Sequence, residues 1–349
     1  MIVQTYFPQK LSPLRYDHFL ASGWFRGSMM LYKMDLLCIE QQLFSVVNIR
    51  LDLNRHEMKK RHRKIMRKVE NAFRVETGLA SIDARKEHLY TLHKNRFKGF
   101  IHTSLDDYLN SGFTNSIFDT RELRVYDGKE LIAVSYFDLG GQSAASLLAL
   151  YDHNYKAYSL GLYTMLKEVE ILQNKGFRWY YPGYVLDKES SFDYKLQLGE
   201  FEYYNHNQRW VPYRNFHPGK GLASKILDKL NAAAEGLKKL GVEHEVKLYP
   251  FYSFGHMGYW KVQFLGFPKV IVLSRDGDDV LVLSYESERD MYVLVQTSIA
   301  KGHEHLINME ISLDFETSDI YLLDLLKVDH YKEQSRNLES MLDHIQNTL

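Results

Sequence analysis

Two stretches combine residue types in spacings that could handle phosphate. Arg55 to Arg74 holds nine basic residues against Glu57 and Glu70, a balance of +7 over 20 residues. Met58, Ile65, Val69 and Phe73 recur at helical spacing within it, so one apolar stripe would leave Lys59, Lys60, Arg63, Lys64, Arg67 and Lys68 on the other faces. Each such cation that meets a phosphate releases counterions, which favours nucleic acid. The same face also suits plain solvation or an anionic membrane surface. The second stretch is Lys156 to Gly161, at the expected start of a helix. Free N–H groups at a helix N-terminus suit a phosphate, Lys156 adds charge and Gly161 allows close backbone approach. Other groups point less clearly to chemistry. Cys38 is the only cysteine, which excludes a disulfide framework and a four-cysteine metal site, and it reads as a small buried hydrophobe. His303, Glu304 and His305 read as loop residues rather than a metal site. The aromatic run Tyr249, Phe251, Tyr252, Phe254, Tyr259 and Trp260 reads as core rather than a base-stacking surface.

The elements that position these residues follow from periodicity and turn chemistry. The 349 residues carry 44 basic and 44 acidic side chains, so the net charge is zero. That zero hides a basic front, +5 over residues 1–213, and an acidic back, −5 over residues 214–349. The length suggests two or three domains, and no apolar run is long enough for a membrane helix. The first residues lack a signal-peptide pattern, so the expectation is a soluble cytoplasmic protein. A short helix is expected over 14–22, strands over 24–34 and 43–53, and helices within 84–111 broken near Gly99. Residues 121–151 predict three strands, with Asp127-Gly128 and Gly140-Gly141 as turns. A helix from Ser159 to Asn174 follows, with Ser159 as its cap and Gly176 as its stop, then one strand over 177–184. Strand, helix, strand at this spacing is a crossover between parallel strands. One or two strands are expected over 201–213, a helix over 220–240, β-rich segments to residue 300, and a last helix over 331–346. Three antiparallel strands leading into a crossover match the order of the acetyltransferase-like (GNAT) fold by analogy.

Residues 151–212 then carry an ordered set of motifs. Tyr151-Asp152 is followed by Ser159-Leu160-Gly161-Leu162-Tyr163, then Tyr181-Pro182-Gly183-Tyr184, Tyr194-Lys195 and Trp210-Val211-Pro212. With FLASGWFRGSMMLY at the front and the basic block after it, this order resembles the aminoacyl-tRNA–protein transferases, the arginyltransferases and bacterial leucyltransferases. The resemblance covers about residues 1–213. The chain departs from that family's pattern at His153, Pro182 and Phe192, where Pro, Leu and Met are usual, and lacks its N-terminal cysteine cluster.

The resemblance implies an α+β protein in three parts. These are an N-terminal basic α/β domain (1–105), a GNAT-like transferase domain with a mixed sheet (106–213), and a β-rich C-terminal extension (214–349). The implied activity moves Arg or Leu from charged tRNA to the α-amine of a protein N-terminal acidic residue, as in the N-degron pathway. The ester is already activated, so positioning supplies much of the rate and no cofactor or metal is required. Asp152, Tyr194 and Lys195 are implied as catalytic. Lys156, Ser159, Leu160, Gly161, Tyr163, Gly183, Tyr184 and Arg26 are implied in substrate binding, and the basic block in holding tRNA. An acyl-CoA-dependent N-acyltransferase and a non-catalytic tRNA-binding adaptor are the rival readings.

Overall fold

The computed structural model describes residues 2–97, 100–110, 116–258, 261–303, 309–311 and 319–348. A ten-stranded sheet forms its centre. Its main path runs Trp210–Pro212, Glu202–Tyr204, Gln42–Asp52, Trp179–Tyr181, Ser143–Tyr151, Glu130–Leu139, Asp119–Asp127 and Arg74–Leu79. Every pair on that path is antiparallel except Ser143–Tyr151 with Trp179–Tyr181, which is parallel. The crossover between those two strands is the helix Leu160–Asn174. The α+β class and the GNAT-like order expected from the sequence are therefore present.

The long strand Gln42–Asp52 ties the front of the chain into this sheet. It pairs with Trp179–Tyr181, Tyr184–Leu186, Glu202–Tyr204 and Leu36–Ile39. Its alternate residues Val47, Ile49 and Leu51 are buried beneath the crossover helix and the basic helix Lys60–Ala72. The basic helix buries His62, Met66 and Val69, with Ile65 and Met58 packed at the margin. Lys60, Lys64, Arg67 and Lys68 face solvent, as the apolar stripe requires.

A second layer follows residue 214. The helix Leu222–Lys239 and a five-stranded antiparallel sheet share an apolar core. Cys38 is buried in that core, and burial pushes its thiol pKa up to about 12. Tyr249, Phe251 and Tyr252 are also core residues there, while Tyr259, Trp260, Glu304 and His305 lie outside the described residues.

Three expected elements differ. The single strand expected over 177–184 is two strands, Trp179–Tyr181 and Tyr184–Leu186, with different neighbours. Pro182 and Gly183, the latter at φ +90°, turn the chain between them. The last helix begins later than expected, because Leu326–Ser335 is a strand paired with Met291–Ile299, and the helix is Leu338–Thr348. Between the two helical segments of 84–111 lies a short strand, Phe100–His102.

Candidate active site

The site begins where two strands part. Ser143–Tyr151 and Trp179–Tyr181 pair only at Ser143, Ala144 and Ala145. Beyond that point the chain swings away, and Tyr184, Val185 and Leu186 pair with Asn48, Val47 and Val46 of the long strand. Ser143–Tyr151 stays with its antiparallel partner, with an irregularity between Ser146 and Leu148. A wedge therefore opens between the Ser146–Tyr151 edge and Tyr184. Tyr108 from the helix Leu105–Asn110 donates a hydrogen bond to Leu147 O across one side of it, at 3.0 Å.

Tyr194 and Lys195 sit on the short helical turn Asp193–Leu198 beside this wedge. Lys195 Nζ donates to Tyr184 O at 2.9 Å and lies 5.2 and 4.9 Å from the ring centroids of Tyr184 and Phe192. Its burial lowers the ammonium pKa to about 7, well below that of an ordinary lysine. Tyr194 exposes 39% of its surface, yet burial of its hydroxyl, reinforced by Glu168, Tyr151 and Tyr108, pushes its pKa up to about 12. It remains a hydrogen-bond donor throughout the working range. Gly183 completes this corner: a Cβ there would lie 3.4 Å from Lys195 Nζ, on a backbone at positive φ. Gly183→Ala is expected to cost about 1–2 kcal/mol of stability. The added methyl would meet the ammonium only at ordinary contact distance, so the cost is one of backbone strain, and urea unfolding measures it.

The basic helix reaches both sides of this region. Near its start, Arg61 donates to Gln197 O at 2.7 Å. His62, with no exposed surface, contacts the same carbonyl through Nε2 at 2.9 Å. Its Nδ1 accepts the Lys59 N–H at 3.3 Å, so the proton resides on Nε2 and is donated to Gln197. Burial lowers the His62 pKa and keeps the ring neutral. Near its end, Lys68 Nζ donates to Ala157 O at 2.7 Å and lies 4.6 Å from the Tyr158 ring centroid. Phe73 packs edge-on against Tyr158, with centroids 4.7 Å apart. One cationic helix thus buttresses both the Tyr194–Lys195 turn and the loop before the crossover helix. Lys60, Lys64 and Arg67 form no ion pair with another described residue and remain exposed.

The other expected site residues take varied places. Ser159 occupies the N-cap position in left-handed conformation, φ +52°, and its side chain makes no cap bond. This differs from the ordinary extended serine cap, and it leaves the first N–H groups of the helix without a side-chain partner. Lys156 is exposed. Gly161 packs against Tyr151, while Leu160 and Tyr163 point into the core, where Tyr163 donates to Glu70 at 3.4 Å. Asp152 caps the turn His153–Tyr158 through Asn154 N at 3.0 Å and pairs with Arg85 at 3.4 Å.

Arg26 is buried inside the protein. Its guanidinium pairs with the buried Asp138 at 2.7 Å and donates to Thr120 Oγ1, Ser28 O and Leu109 O. All of these partners belong to the protein, so the side chain serves as a cross-link between the front hairpin and the central sheet. Arg26→Met should therefore cost about 3–5 kcal/mol, because Asp138 is left buried without its counter-charge. Urea unfolding measures it, and a loss under 1 kcal/mol would contradict the reading.

Glu168 is a buried carboxyl that the sequence reading passed over. It has no exposed surface; Tyr180 donates to its Oε2 at 2.7 Å, and its Oε1 has no partner. Burial raises its pKa to about 7, and the nearby hydroxyls of Ser135, Tyr180 and Ser146 only partly offset this. Its place could be seen: Leu160, Thr164, Glu168 and Leu172 form one i, i+4 row on the buried face of the crossover helix. A raised carboxyl pKa favours the fold when protonated. Stability is then greatest below the unfolded value near 4.3 and falls as pH rises to about 7, by about 3 kcal/mol. Glu168→Gln should flatten that slope in unfolding measured from pH 4.5 to 7.5; an unchanged slope would refute the assignment.

Comparison with known proteins now adds the class. Residues 81–205 match the family model described as arginine-tRNA-protein transferase, C terminus. The aspartate/glutamate leucyltransferase of Leptospira interrogans is 22% identical over 209 residues, covering 55% of this chain and 79% of that protein. The aspartate/glutamate leucyltransferase of Vibrio vulnificus is 23% identical over 198 residues, covering 56% and 82%. The solved structure of L-PGS from Bacillus licheniformis aligns with a TM-score of 0.31 and 11% identity, over 43% of this chain and 49% of that one. The resemblance seen in the motifs is thus independently present: residues 81–205 are similar to the C-terminal part of arginine-tRNA-protein transferases, and the names of that family and of the relatives indicate a transferase enzyme. Among the described residues, no helix is long and apolar enough to cross a membrane.

Proposed function

We propose that this protein transfers leucine or arginine from charged tRNA to the α-amine of a protein that begins with Asp or Glu. The observation that carries this reading is the basic helix, which contacts Gln197 at one end and Ala157 at the other. These contacts tie the cationic helix to the turn that carries Lys195, which supports a shared role for the two. The relatives' names favour leucine as the donor and an acidic residue as the acceptor.

The step is ester aminolysis. The neutral α-amine attacks the ester carbonyl carbon, a C–N bond forms, and the C–O bond to the terminal ribose breaks. The proton lost by the amine passes to Lys195 and from there to the departing ribose oxygen. A lysine with pKa about 7 is matched to an α-amine, which titrates near 7.7. Tyr194, protonated at neutral pH, donates to the oxyanion that develops on the carbonyl. Asp152 and Arg85 hold the loop in front of the crossover helix, where the RNA end arrives.

Incubation with labelled leucyl-tRNA or arginyl-tRNA and peptides beginning with Asp, Glu or Ala tests this. Label should enter the Asp and Glu peptides with one donor and spare Ala. No transfer from either donor, where a leucyltransferase control is active, would overturn the reading.

A further inference from the structure

Where the front of the chain meets the C-terminal extension lies a pocket of about 260 Å³ that the transfer step does not use. Three lysines from three segments line it. Lys188 follows the strand Tyr184–Leu186, Lys247 belongs to the strand Glu245–Leu248, and Lys269 opens the strand Lys269–Asp276. Lys247 is already engaged, pairing with Glu245 at 2.9 Å and donating to Asp319 O at 3.0 Å. Lys188 and Lys269 form no ion pair with another described residue.

Both backbones are held in place. Asp187 is buried and accepts hydrogen bonds from Ser45 N and Ser45 Oγ, each at 2.8 Å. Ser45 Oγ in turn accepts the Ala223 N–H at 3.0 Å. Lys188 therefore leaves a point where the long strand and the helix Leu222–Lys239 are tied together. The Lys269 carbonyl accepts Ser284 Oγ at 2.8 Å. Lys269 is half-buried, burial lowers its ammonium pKa, and no charged neighbour offsets that shift. An ammonium that loses water without gaining a counter-charge is unfavourable, and a bound anion supplies that charge. A phosphate monoester brings about two negative charges at neutral pH, one for each of the two ammoniums. Leu227, Val246 and Ile320 add apolar wall, which suits a short hydrocarbon body beside the charged head.

We propose that Lys188 and Lys269 form a binding site for a small phosphate monoester with a short apolar body. The inference stands apart from the transfer reaction, since Lys247 and Lys269 lie outside residues 81–205, the part similar to the transferase family. A phosphorylated side chain of another protein presents the same head, so the experiment separates the two sources.

Titration calorimetry of the full chain tests this with butyl phosphate, pentanoate and a phosphoserine peptide as probes. Butyl phosphate should bind saturably, about tenfold more tightly than the singly charged pentanoate. Lys188→Ala and Lys269→Met should each weaken it about tenfold, while Lys269→Arg, which keeps the charge, should stay within about threefold of wild type. Lys188 is exposed, so its variant keeps the fold even if Lys269→Met does not. The triple alanine variant of Lys60, Lys64 and Arg67 should bind butyl phosphate as wild type does. Loss of binding there would move the phosphate to the basic helix and overturn the site. Wild-type affinity in either folded lysine variant, or equal binding of pentanoate, would likewise overturn it. So would the absence of saturation at about 10 mM butyl phosphate. A phosphoserine peptide that binds more tightly than butyl phosphate would overturn the small-molecule reading.

Discussion

Lys195→Arg is expected to lower transfer by about 10²–10⁴-fold although it keeps the positive charge. In the proposed step Lys195 would accept the proton, because burial between Tyr184, Phe192 and Gly183 brings its pKa down to about 7. A guanidinium stays protonated at every working pH, so it cannot take that role. The sign of the pH effect follows. Lysine is competent in its neutral form, so the wild-type rate should climb through about pH 7 and level above it. Part of that climb belongs to the acceptor α-amine. Lys195→Met should therefore retain the amine's limb near 7.7 and lose the lysine's contribution. Pre-steady-state transfer at saturating tRNA measures this across pH 5.5–9. An arginine variant within threefold of wild type would show that Lys195 acts as a fixed charge instead.

Removing Lys60, Lys64 and Arg67 together, each to alanine, should weaken tRNA binding steeply while the protein stays folded. All three are exposed, whereas the helix is anchored by His62, Met66 and Val69. If each cation meets one phosphate of duplex RNA, the slope of log K against log salt should fall by roughly 0.9 per residue, or about 3 in all. Filter binding at several salt concentrations gives the slope. The loss should be largest at low salt and should fade at high salt, where both proteins bind poorly. Unchanged slope with unchanged affinity would place the RNA on another surface.

Local pattern explains what could be read in advance. Residues 119–151 alternate and turn at Asp127-Gly128 and Gly140-Gly141, so their three strands were visible from neighbouring residues alone. The basic helix was visible because its apolar stripe and its charges have the same period. The wedge was not. FRWYYPGY is aromatic throughout, and only the choice between two partners, Ser143–Tyr151 and Gln42–Asp52, splits it at Pro182-Gly183. The Tyr194-Lys195 pair was legible as a motif, but not the depth that lowers the lysine's pKa, which depends on Tyr184 and Phe192 closing over it. Arg26 shows the opposite limit. Its partner Asp138 is 112 residues away, and nothing near Arg26 in the chain signals a buried pair. Glu168 was hidden by composition, since a glutamate beside Lys167 and Glu170 looks solvated until its i, i+4 row is followed into the core.

Ultraviolet cross-linking of the full chain to charged tRNA, followed by peptide mapping, addresses the shared role of helix and turn most directly. RNA-linked peptides from the basic helix and from both the loop ahead of Leu160 and the turn bearing Lys195 should appear together, and all should vanish as salt is raised. Cross-links confined to the helix, or found only beyond residue 214, would separate the cations from the reaction corner and contradict the account.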